Sequence, residues 1–166
     1  MCHGADSCHH AVRIIALLIG IFCAPLLHAN DRKIDPTFLY RDTSAVGEKE
    51  SDITTKTCHY RALFGQGDSD TSVVVGVARY GEAVIDPNGA CGLVQYPDED
   101  QVYVVLEGTG SVKYGDAIVP LKKEDYLYIP STIAHALSNK SDAPLTVLVM
   151  GFRMKGFEKT QPPTQP

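Results

Sequence analysis

At 166 residues with 44% hydrophobic side chains, the chain can bury one core and gives no reason to expect a second domain. Its formal net charge of −5, without a Lys- or Arg-rich stripe, argues against nucleic acid or an anionic membrane surface as a partner.

The chain opens with Arg13 ahead of an apolar run, Ile14 to Leu27, and Leu27-His28-Ala29 then places a small residue before Asn30. This is the pattern of a secretory signal peptide over residues 1–29. The run is shorter than the roughly 20 residues of a spanning helix, so no stable membrane insertion is expected after cleavage, and the expected location is secreted or periplasmic. An uncleaved anchor is the competing reading; Gly20-Ile21-Phe22 ahead of Cys23 is a poor lipobox. Cleavage removes His3, His9, His10, His28, Cys2, Cys8 and Cys23, and leaves His59, His135, Cys58 and Cys91. In an oxidising compartment Cys58 and Cys91 can form a bridge contributing about 3–4 kcal/mol; two free thiols are the alternative.

Residues 30–57 are polar, mix charges and show weak periodicity, which suggests an extended arm. From Cys58 onward, short runs rich in Val, Ile, Tyr and Leu alternate with turn clusters such as "GQGDSD", "DPNGACG", "DED" and "KSDAP", giving about eight to ten short strands at hairpin spacing. No stretch carries a sustained helical stripe or a fixed repeat, which excludes a βαβ sheet and a solenoid and favours an all-β barrel over residues 58–154. The Pro- and Thr-rich residues 155–166 are expected to form a disordered tail.

Gly89, Gln95, Pro97, Gln101 and Gly108 stand at the places of Gly, His, His, Glu and Gly in the first cupin motif, followed by "VYVVLEGTG". The second motif is echoed by Glu124, Asp125, Pro130, His135 and Asn139, with Glu124 and Thr132 replacing its glycines. Over residues 80–152 the chain therefore resembles a single-domain cupin with a degenerate metal motif. The resemblance implies an all-β, cupin-type jelly-roll β-barrel, and a homodimer formed through sheet faces or an exchanged arm, Ile34 to Asp52.

The metal site that the resemblance implies keeps only His135. A carboxamide is a weak ligand and proline offers none, so a tight site is not the default. A divalent transition metal would have to recruit Glu99, Gln101 and His135, with His59 as a further candidate. Asp98–Asp100 reads equally as a solvated turn, and His59 has no partner in the sequence.

Strand alternation adds an independent reading: positions 95 and 97, then 101, 103 and 105, share the interior face if the turn at Asp98–Asp100 preserves phase. Gln95, Gln101, Tyr103 and His135 would then converge at one mouth, with Tyr126 among the tyrosines offering aromatic wall. Inward amides must find hydrogen bonds or cost about 1–3 kcal/mol each, which implies water, a polar ligand or an ion. For His135 and the tyrosines, ordinary packing and a backbone hydrogen bond are the competing readings.

Three functions compete. The first is a secreted protein that binds a small polar organic molecule in its barrel without a tight metal, through Gln95, Gln101, Tyr103, Tyr126 and His135. The second is an enzyme, an isomerase, epimerase, lyase or dioxygenase acting on a carbohydrate or small organic acid, with His135 and Tyr103 as catalytic groups. The third is a non-catalytic dimeric scaffold. The residues leave the enzyme question open.

Overall fold

The computed structural model describes residues 38–70, 74 and 76–154. The expected signal segment 1–29 and the expected tail 155–166 lie outside the described residues, as do 30–37 of the expected arm and 71–73 and 75 of the run before the second strand.

Among the described residues, eight strands follow one 3₁₀ turn, η1 (Thr43–Ala45). They are β1 (Cys58–Gly65), β2 (Val77–Ile85), β3 (Glu99–Glu107), β4 (Thr109–Tyr114), β5 (Ala117–Lys122), β6 (Tyr126–Ile129), β7 (His135–Ser138) and β8 (Leu145–Arg153). A five-stranded sheet runs β1-β2-β8-β3-β6 and a three-stranded sheet runs β5-β4-β7. All named pairings are antiparallel.

Alternation decides what each strand buries. On β2, Arg79, Gly81, Ala83 and Ile85 face inward; on β8, Leu145, Val147, Val149 and Gly151; on β3, Gln101, Tyr103 and Val105. The smaller sheet contributes Val112, Leu121, His135 and Leu137, so one core fills the space between the sheets. The five-stranded sheet reads as β-branched and aromatic residues on a pleated surface, which is why these segments form strands despite carrying no helical periodicity.

Register then places polar groups at one end of this interior. Gly151 on β8 pairs with Arg79 on β2 and with Gln101 on β3. Having no side chain, it leaves room for both: a Cβ there would lie 2.7 Å from Arg79 Cγ and from Gln101 Nε2.

Two fastenings hold the periphery. A disulfide joins Cys58, the first residue of β1, to Cys91 in the segment after β2, with Cα atoms 5.0 Å apart. Asn139, wholly buried, donates to the carbonyls of Ile85, Asp86 and Ala143 and accepts from Ser141, tying the last turn to the end of β2. Its place in the second motif is thus a structural one.

Glu124 and Thr132, which stand where the resembled motif has glycines, adopt positive φ angles of 72° and 74°. The backbone keeps the left-handed turns that glycine would enter without strain.

Candidate functional site

The polar end of the barrel is organised by Arg79, whose side chain is 6% exposed. Its Nε donates to Glu99 Oε2 at 3.0 Å, its Nη1 to both Asp52 oxygens at 2.8 and 3.0 Å and to Tyr96 Oη at 2.9 Å, and its Nη2 to Gln66 Oε1 at 3.0 Å. The guanidinium also stacks 4.0 Å from the centroid of the Tyr96 ring, a cation–π geometry. Burial works against its charge, but Tyr96, Asp52 and Glu99 outweigh that and hold the group above its ordinary range.

Glu99 Oε2 also accepts from Gln101 Nε2 at 3.0 Å. That leaves Gln101 Oε1 buried without a hydrogen-bond partner, and Tyr60 Oη is in the same position. Both are groups whose desolvation is uncompensated. Burial pushes the Tyr60 phenol up to about 12 and raises Tyr96 and Tyr103 as well.

Deeper in, Tyr103 and His135 form a neutral pair. His135 Nδ1 lies 2.9 Å from the Ile133 carbonyl, which can only accept, so Nδ1 carries the proton and Nε2 accepts from Tyr103 Oη at 2.9 Å. Burial lowers His135 below its ordinary value, with the bond to Ile133 opposing. The void beside the pair is about 10 Å³, bounded by Ile53, Cys91, Val94, Tyr103 and His135, which is room for one water at most.

The structure brings together Glu99, Gln101, Tyr103 and His135 of the residues singled out by sequence, but not the others. Gln95 is exposed, its amide donating to the Thr132 carbonyl at 2.8 Å; Tyr126 is 76% exposed on β6. Pro97 also faces out, whereas Val94 and Tyr96 face in. The expectation that 95 and 97 share the face of 101 and 103 is corrected: the bend at Pro97 and Asp98 shifts the phase by one residue before β3 begins. His59 lies on the outer face of β1 between Glu48 and Asp86, at 3.2 Å from each.

A metal does not fit this donor set. His135 Nε2 is engaged by Tyr103, Glu99 is paired with a guanidinium, and a cation placed by Gln101 would meet the positive charge of Arg79. Among the described residues no group of three His, Cys, Asp or Glu side chains could hold an ion.

Arg79, Asp52, Tyr60 and Gln66 were not singled out by the sequence reading. The available signal was parity: Arg79 alternates with Gly81, Ala83 and Ile85 in "VARYGEAVI", so a charged residue shares the core-facing phase.

Two antiparallel sheets closing over one core, with the polar end inside the barrel, define a jelly-roll barrel of the cupin type. Residues 81–151 match the cupin domain family, and over that stretch the chain is similar to cupins. An uncharacterized protein of Methanocaldococcus jannaschii is 26% identical over 80 residues, 48% of this chain and 64% of that protein, so the match spans less than two thirds of the relative. Among solved structures, a predicted oxalate decarboxylase from Thermotoga maritima superposes with a TM-score of 0.59 at 16% identity, covering 69% of this chain and 99% of that one. A sugar phosphate isomerase of Silicibacter pomeroyi and the polyketide cyclase RemF of Streptomyces resistomycificus each give a TM-score of 0.57 at 18% identity, covering 69% of this chain and 76% and 79% of theirs, respectively. At these identities the likeness is one of fold.

Proposed function

We propose that this cupin-like chain is an exported protein that binds a small polar organic molecule at the polar end of its barrel, without a tightly held metal. The observation that carries the reading is the buried Gln101 carbonyl oxygen, which has no partner beside a buried, charged Arg79. An interior acceptor left unmade costs stability, and a polar ligand reaching it would recover that cost. The binding group is then Arg79, Gln101, Tyr60 and Tyr96, in place of the Gln95 and Tyr126 of the sequence expectation.

The catalytic reading has less support from the geometry. A general base works best with a pKa near the working pH, whereas burial holds the Tyr103 proton on and lowers His135. Each change makes proton exchange with a substrate harder, and the adjoining void is too small to admit one.

The test is a thermal-shift screen with sugars, polyols, amino acids and organic acids, repeated on Gln101→Met. A compound that raises the melting temperature of the wild type and not of the variant is the expected result; no shift by any compound in either protein would sink the binding reading in favour of a scaffold. Gln101→Met itself should stay within about 1 kcal/mol of wild-type stability, because the variant loses the bond to Glu99 and the orphaned oxygen together.

A further inference from the structure

The Ser51–Thr54 turn, closed by Thr54 N–H donating to the Ser51 carbonyl at 3.2 Å, projects its two central residues into the barrel mouth. Asp52 places both carboxylate oxygens on Arg79 Nη1, the nitrogen that also donates to the Tyr96 phenol oxygen. Ile53, 4% exposed, wedges beside Cys91, Tyr103 and His135. We infer that this turn is an internal occupant of the binding site, and that the ligand it stands in for is a small hydroxycarboxylate, whose carboxylate replaces that of Asp52 on Arg79 and whose hydroxyl donates to Gln101 Oε1.

The inference rests on the binding function proposed above and names its ligand class. Three features carry it. The turn belongs to neither sheet, so it can leave without breaking a strand ladder; its backbone hold on the barrel includes the Lys49 N–H on the Tyr60 carbonyl and the Gly92 N–H on the Ile53 carbonyl. An open groove of about 610 Å³ is lined by Glu48, Ser51 and Thr54 of this segment and by His59 and Tyr60 of β1. The Asp52 side chain is 36% exposed while Arg79 beneath it is 6% exposed, so the exchange takes place at the rim. Exchanging one carboxylate for another keeps the buried guanidinium paired throughout, and the orphaned Gln101 oxygen selects an acid that also carries a donor.

Two substitutions open the site independently. Asp52→Asn removes the competing charge. Gly92→Ala places a Cβ 2.8 Å from the Asp52 carbonyl oxygen, a backbone atom that cannot move without moving the turn. An internal competitor reduces apparent affinity by the fraction of molecules in which the site is open, so each variant is expected to bind glycolate at least about tenfold more tightly than the wild type in titration calorimetry, with acetate about tenfold weaker than glycolate and glycerol silent. Hydrogen exchange at residues 49–55 should speed up when glycolate is added. Unchanged or weaker glycolate binding in both variants, or slower exchange in this segment, overturns the role of the turn. Binding of glycerol or a sugar with glycolate silent overturns the ligand class and leaves the binding function standing. Silence from every compound in the wild type and in both opened variants removes both.

Discussion

The hydrogen bond between Tyr103 and His135 joins two neutral groups, and it sets how the protein responds to acid. The folded-state pKa of His135 lies below the unfolded value of about 6.5. Its contribution is therefore fully present above that value and is lost as the pH falls through the folded pKa. Stability should decline as the pH falls below about 6.5, by up to about 1.4 kcal/mol per pH unit from this group, and His135→Gln should flatten that part of the decline in melting curves taken across the range. An unchanged profile in the variant would show that other groups carry the acid response. Tyr103→Phe leaves Nε2 without a donor and should cost about 1–2 kcal/mol in urea denaturation. Gln101 and Tyr103 could be located from the sequence because strand parity survives from residue 101 to 105, and His135 from its place in the second motif. Gln95 could not, since a proline-led bend resets parity without leaving a periodic trace.

Where the elements turn, the backbone carries strain that the side chains do not advertise. Thr132 is β-branched and holds a φ of 74°, and its N–H donates to the Tyr96 carbonyl. Such a residue is a true outlier in that region. Thr132→Gly should stabilise the protein by about 0.5–1 kcal/mol, the relieved strain exceeding glycine's greater freedom in the unfolded chain, as read from the denaturation midpoint; a loss of stability would mean that the threonine side chain supplies more than the strain takes away. The strands themselves were readable because alternating apolar residues between turn clusters leave few alternatives. The Ser51–Thr54 turn was not, because its side-chain hold on the barrel comes from one carboxylate and one isoleucine in a stretch without periodicity, and its backbone bonds leave no mark in the residue pattern. The disulfide belongs to this scale too. It closes a span of 33 residues, and reduction, or Cys58→Ala with Cys91→Ser, should cost about 3–4 kcal/mol by loop-closure entropy, seen as a lower melting temperature under reductant.

For the whole molecule, the all-β barrel follows from composition and turn spacing, while the chemistry of its polar end follows from register, which composition does not encode. Gly151 lies across from both Arg79 and Gln101 only because β8 runs between β2 and β3. With a guanidinium set among the carboxylates, the purified protein is expected to carry substoichiometric transition metal by elemental analysis. One ion per chain, lost on His135→Ala, would overturn that expectation and return Glu99 and His135 to consideration as ligands.

The Cys58–Cys91 bond has a mechanical meaning as well. A pull on the chain from the amino-terminal side would peel the Ser51–Thr54 turn away contact by contact and then halt at Cys58, where the covalent link hands the load to the segment after β2. Since β1 is an edge strand, the same pull after reduction would run on into its ladder with β2 and unzip it. The bond thus marks the boundary between the part of the chain that can be drawn off under tension and the part that must hold its shape.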